Sequence, residues 1–324
     1  MDHTKLDSLD QALRGCPGIA GIAVRRHNEL VFERYFHGFA PADAAHLFSV
    51  TKSVVSLLVG IALDRGCIQS LDQKVLDFFP DHPAPSPGDT AHTVTLRHLL
   101  TMTAPYKCET EPYEAFFASP NWVDFALDLL GGDKPAGDFF YSPIVGAHIL
   151  SGILTRATGR SVLDFAAEAL FSPLGIQVQT VTLPTQEAHM AWSLEEKKAP
   201  GWVADPQGIH TASWGLSLTP RDLANLGQLC LNGGRWAGRE IVSKAWLDAS
   251  TSLHARWNEL GYGFLWWVVD PQAHSFAALG DGGNALYVNP ARDLTVAVTS
   301  LFPSDGTDPI ELILSQIEPV FADG

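Results

Sequence analysis

The runs that read as β-strands lie at the two ends of the chain, and helical patterning fills the middle. Residues 18–25 (GIAGIAVR) and 30–36 (LVFERYF) are apolar runs around Arg26-His27-Asn28-Glu29, a turn segment that predicts a hairpin. Strand-like runs return only at 261–269, 275–279, 285–289 and 294–300, before a final helix over 309–321. A doubly wound sheet would alternate strand and helix throughout. This order instead predicts an α/β (α+β) fold: an antiparallel sheet built from both termini and flanked by helices, with an all-helical insertion. The expected division is residues 1–70 and 212–324 for the sheet domain and 71–211 for the helical one.

Within the insertion, helices are expected at 96–102, 123–130, 144–157 and 162–170. The stretch 185–211 reads as mixed and loop-like. Residues 104–140 hold Pro105, Pro112, Pro120, Gly131, Gly132, Pro135 and Gly137, which suits irregular structure and a lid. Beyond it, Pro220 opens a helix to about Leu231.

The net charge of −15 over 324 residues argues against nucleic acid or an anionic membrane as partner, since both call for a basic face. The four cysteines form no CxxC pair and read as reduced thiols. No basic segment followed by an apolar run marks the start, and no eighteen-residue apolar run occurs, so a cytoplasmic protein is expected. There is no GxSxG, Walker A or HExxH. Gly280-Asp281-Gly282-Gly283-Asn284-Ala285 formally fits GxGxx[GA]. It precedes a strand, however, and lacks the βαβ surroundings of a dinucleotide site.

One motif carries chemistry. Ser49-Val50-Thr51-Lys52 is the sole Ser-x-x-Lys and opens a strongly apolar helix over 49–64. Residues three apart share a helix face. A buried lysine loses its proton readily and can take that of a serine hydroxyl, while the helix N-terminus favours the developing anion. The local alternative is a capping serine with a surface lysine one turn on.

Taken in order, several segments resemble the serine β-lactamase and penicillin-binding-protein superfamily, in its class C β-lactamase-like branch of esterases, amidases and peptidases. They are HLFSVTKSVVSLLVGIALDRG, VTLRHLLTMTA, DFFYSPIVGAHILSGILTRATGR, SWGLSLTPRDLANLGQL, GYGFLWW and ALGDGGNALYVNP. The resemblance implies a β-lactamase/transpeptidase-like fold with Ser49 as nucleophile and Lys52 as its proton acceptor. Tyr141, in Tyr141-Ser142-Pro143, would share the relay, with a pKa lowered beside an ammonium. Pro143 stands where that family has Asn. The third motif maps to Ala278-Leu279-Gly280-Asp281, with Ala278 where the family has Lys or His. The backbone N–H groups of Ser49 and Asp281 would form the oxyanion hole. Gly280 and Gly282, with the aromatic Trp214 and Tyr113, are the expected substrate contacts; a Gly-rich turn and core aromatics are the plainer readings. Asp281 would favour an amine-bearing substrate if its carboxylate faces the cleft, rather than bulk solvent.

The expected function is a serine hydrolase of small-molecule esters or amides acting through an acyl-enzyme, with neither metal nor organic cofactor. A β-lactamase or D-amino-acid peptidase, and a catalytically silent ligand-binding homologue, are the alternatives. Natural substrate and oligomeric state are left open.

Overall fold

A computed structural model describes residues 3–142, 144–302 and 306–322. The expectation for Pro143 therefore lies outside the described residues.

Eight strands form one antiparallel sheet. Its order is Glu29–Tyr35, Ile19–Arg26, Leu294–Ser300, Asn284–Asn289, Ser275–Gly280, Trp267–Asp270, Leu260–Tyr262 and Ala255–Trp257. The first hairpin closes through His27 and Asn28, both at positive φ (51° and 64°), which matches the twist of the flanking strands. Side chains alternate between two cores. Ile22, Val24, Tyr287, Val296 and Val298 face helix His3–Arg14 and the helical run that begins at Pro309. Ala23, Leu286, Val288, Ala278 and Ala297 face Val50–Asp64 and Pro220–Leu231. Both faces are covered, which explains why these strands read as continuous apolar runs rather than polar–apolar alternation.

The expected single strand over 261–269 is broken. At its centre Leu265 turns to φ 64°; its N–H donates to Leu100 O (3.0 Å), and its carbonyl accepts from Ser53 Oγ (2.7 Å). Those bonds brace helix Val50–Asp64, whose residues 50–62 are all buried.

A second, four-stranded sheet has the order Ala45–His46, Leu216–Leu218, Gly201–Ala204 and Gln179–Thr182. It corrects the loop reading of 185–211, which holds Gly201–Ala204 as well as helix Gln186–Leu194. Strands of two to four residues are too short to show a period. The lid expectation for 104–140 also changes. Phe116 and Trp122 are fully buried there and anchor the stretch to the core, while Tyr113, Glu114 and Ala115 stay exposed. No helix among the described residues is long and apolar enough to cross a membrane.

Candidate active site

The small sheet positions Ser49. Leu47 N–H extends the pairing by donating to Leu216 O (2.9 Å). Phe48 then adopts φ 47°, a conformation that a bulky residue holds only when its surroundings impose it. Its ring lies between His46 (3.9 Å between centroids) and Phe302 (4.9 Å). This turn starts the helix at Ser49.

The capping alternative fails on both counts. Ser49 makes no side-chain cap bond, and Lys52 is 3 % exposed. Lys52 Nζ lies 2.7 Å from Ser49 Oγ and 3.4 Å from Ser213 O. Burial pulls the Lys52 ammonium down to about 7, against the opposing pull of the Asp281 and Glu111 carboxylates. At neutral pH the amine is thus substantially unprotonated and available as a base.

Tyr141 joins this pair. Its phenol is hydrogen-bonded with Ser49, and its ring centroid is 5.7 Å from Lys52 Nζ. The ring stacks against Phe139 (6.3 Å) and Trp257 (5.9 Å). The expected downward shift is reversed: burial pushes the phenol up to about 12. The Asp281 and Glu111 carboxylates add to this upward push, and the hydrogen bond with Ser49 offsets only part of it. Near neutral pH the Lys52 amine is thus poised to accept a proton and the Tyr141 phenol to donate one.

Glu111 escaped the sequence reading. Its carboxylate accepts hydrogen bonds from the Ser142 hydroxyl and from the N–H groups of Ile144 (3.0 Å), Val145 (2.8 Å) and Gly146 (3.2 Å). It also bonds with Tyr113. One side chain thus caps helix Val145–Thr158 from a distant segment and fastens the residue next to Tyr141. No local pattern announces a contact made across more than thirty residues of chain.

The third motif is rearranged relative to expectation. Ala278 is buried in the core, so no side chain at that position reaches the cleft. Asp281 is the residue of this motif that lines the cavity. Gly280 does not line it; it serves a backbone approach. A Cβ there would stand 2.2 Å from Leu47 O and 3.2 Å from Ser49 N. The bare α-carbon lets the strand end close on the nucleophile turn, bringing the Asp281 and Ser49 backbones together. Gly282 is likewise absent from the cavity lining. It sits at φ 83° beside Leu301 O, turning the chain between strands, while Asn284 Nδ2 holds Asp281 O at 2.7 Å.

A cavity of about 740 Å³ opens over Ser49 and Tyr141. Trp214 and Tyr113 both line it, as do Phe48, Phe117 and Phe302. Helix Gln186–Leu194 supplies Gln186, His189, Met190, Ser193 and Leu194, one full face at helical spacing. Histidines aside, the lining carries two ionisable acids, Glu114 and Asp281, and no lysine or arginine. Among the described residues, no group of three or more His, Cys, Asp or Glu side chains is arranged to hold a metal ion.

The 6-aminohexanoate-dimer hydrolase of Paenarthrobacter ureafaciens is 25% identical over 332 aligned positions, covering 94% of this chain and 78% of that protein. A D-aminopeptidase of Cereibacter sphaeroides is 26% identical over 234 positions, 67% of this chain but 43% of that protein. Two solved structures share the fold. A putative 6-aminohexanoate-dimer hydrolase from Bacillus anthracis superposes with a TM-score of 0.73 at 20% identity, covering 97% of this chain and 81% of that one. A family VIII carboxylesterase superposes at 0.71 and 16% identity, covering 98% and 97%. The family model described as Beta-lactamase matches residues 6–315, nearly the whole chain, and the chain therefore belongs to the beta-lactamase family.

Proposed function

We propose that this protein is a serine hydrolase that cleaves ester or amide bonds of small molecules through an acyl-enzyme on Ser49. The observation that carries this reading is the contact between a buried, readily neutral Lys52 amine and the Ser49 hydroxyl at 2.7 Å. As Ser49 Oγ attacks the carbonyl carbon, its proton passes to Lys52 Nζ. The N–H groups of Ser49 and Asp281 hold the oxyanion, fixed before the reaction by the close approach at Gly280. Collapse expels the alcohol or amine, which takes a proton from Tyr141 or from Lys52. Water then attacks the acyl-enzyme, with the same groups moving protons in reverse.

The relatives named above are by name a 6-aminohexanoate-dimer hydrolase and a D-aminopeptidase, which supports amide chemistry at this site. A carboxylate-bearing β-lactam fits less well. The two acids of the cavity, Glu114 and Asp281, oppose an anion and suit a neutral or amine-bearing substrate. The partner in this reading is a small molecule, with no nucleic acid or membrane. Four cysteines scattered without a CxxC pair suit a reducing compartment, the cytoplasm.

A short-chain p-nitrophenyl ester assay tests the reading, with Ser49→Ala as control and a fluorophosphonate probe to map the nucleophile. Turnover abolished in Ser49→Ala, with the label on Ser49, is the expected result. Binding of acyl compounds without turnover would return the chain to the ligand-binding alternative. Nitrocefin hydrolysis rivalling that of esters would favour the β-lactamase.

A further inference from the structure

Nine large hydrophobic side chains are exposed among the described residues, and four of them line the one cavity over Ser49: Tyr113, Met190, Leu194 and Phe302. Scattered surface leucines need no explanation, but convergence on a single concavity does. Met190 (63 % exposed) and Leu194 (53 % exposed) lie one turn apart on helix Gln186–Leu194, on the face turned to the cavity. An ordinary amphipathic helix buries that face. Here its apolar side chains meet open space, with Phe302 and Tyr113 contributed from distant segments of chain. The volume agrees. A two-carbon acyl group is about the size of two waters, at roughly 30 Å³ each, and would leave most of 740 Å³ to solvent. Cavities of this size and composition hold ligands with a substantial apolar body.

We propose that helix Gln186–Leu194, with Phe302 and Tyr113, forms a subsite for an extended apolar group, so that the substrates are esters or amides carrying a medium-length alkyl or an aryl-alkyl chain. This rests on the hydrolase reading above and names its substrate class. The occupant is the substrate itself, because the apolar face belongs to the same cavity as Ser49 and Tyr141. Glu114 and Asp281 in that lining disfavour a chain ending in carboxylate, which separates this class from fatty acids and their anionic relatives. Met190 and Leu194 act here as specificity-determining residues and take no part in the chemistry.

The test compares p-nitrophenyl esters from acetate to octanoate, and alkyl acetates from ethyl to octyl, kept below their micellar concentrations. Active sites are counted by fluorophosphonate labelling. Each fully buried methylene is worth a factor of about four, so kcat/KM is expected to rise at least about tenfold along one of the two series. In Met190→Gln/Leu194→Gln the ratio of octyl or octanoyl to two-carbon substrate is expected to collapse severalfold. Leu314→Gln, an equally plain exposed leucine outside the cavity, is expected to keep the wild-type ratio. A flat or falling profile in both series, or a rise that survives the double variant, overturns the subsite. If Ser49 labels and acetate is cleaved while chain length has no effect, the subsite alone falls. If no ester turns over and Ser49 stays unlabelled, the hydrolase reading falls, and the subsite with it.

Discussion

The two walls of the cavity are built on opposite principles. On one side, Ser49, Lys52 and the strand end at Gly280 are held by backbone contacts with no slack: a turn at positive φ, an amine sealed at 3 % exposure and an α-carbon that tolerates no Cβ. On the other, Tyr113, Glu114 and helix Gln186–Leu194 present exposed side chains to open space. Proton transfer and oxyanion binding demand atoms fixed within a few tenths of an ångström, and dense packing supplies that. Choice of substrate asks only for the right surface, and an exposed helix face accepts substitution cheaply. In the proposed reading, chemistry is therefore invested in the rigid wall and selectivity in the open one.

The largest effect should follow Lys52→Met. Removal of a general base costs on the order of 10²–10⁴ in kcat/KM. The same substitution should stabilise the fold. Lys52 has a folded pKa of about 7 against 10.5 for the ordinary side chain. Between those values the unfolded chain holds a proton that the native state lacks, so stability in the wild type rises with pH across that window. At pH 7 the variant escapes this cost and should gain about 2–4 kcal/mol in chemical denaturation, at about 1.4 kcal/mol per pKa unit, with the gain fading toward pH 10.5. A variant both inactive and less stable would break the contrast between the walls.

Gly280→Ala comes next. Its Cβ would meet backbone, Leu47 O, and not a movable side-chain end. Forced separation should cost about 1–3 kcal/mol of stability and most of kcat. Crystals of the variant should show the Asp281 and Ser49 amides moved apart. Wild-type kcat in this variant would mean that the oxyanion is held elsewhere.

Glu111→Gln sharpens the boundary between the walls, since Glu111 bonds to Tyr113 on one and fastens Ser142 beside Tyr141 on the other. Loss of its charge removes one of the two carboxylates that raise Lys52. The acid limb of the pH–kcat/KM profile should therefore move to lower pH, while kcat drops roughly tenfold through looser positioning of Tyr141. Asp281, Tyr141 and Ser49 still surround Lys52 in this variant, so the limb shifts without vanishing. A lower kcat with an unmoved limb would leave Glu111 a purely structural cap.

Asp281→Asn should have a smaller and selective effect. The ratio of kcat/KM for an amine-bearing ester to that for its neutral isostere should fall severalfold, more at low salt than at high. Equal effects on both esters would remove Asp281 from substrate choice. The smallest effect is expected for stability in Met190→Gln, within about 0.5 kcal/mol of wild type in thermal unfolding. A larger loss would show that the open wall is packed after all.

What the chain announces about itself follows from period and local chemistry. The terminal hairpin, the buried helix after Ser49 and the return strands are legible because both sheet faces and most of that helix bury apolar runs. Ser49 and Lys52 are legible because a three-residue spacing on a helix guarantees a shared face. Tyr141 and Asp281 are reached only through resemblance to a family, and Glu111 not at all, since its contacts join segments with no common pattern.

Tertiary structure alone decides the rest. It moves the Lys52 and Tyr141 pKa values in opposite directions, because burial depth is a property of the assembled core and penalises an ammonium and a phenolate alike. It puts Asp281 rather than Ala278 at the cleft, because Ala278 faces the core from within strand Ser275–Gly280 and Asp281 stands in the turn just past the strand's end. It gives Gly280 a backbone to approach instead of a substrate. A sequence specifies periodic burial and short-range pairs; which carboxylate, amide or bare α-carbon stands beside Ser49 depends on chain segments more than a hundred residues apart meeting in space.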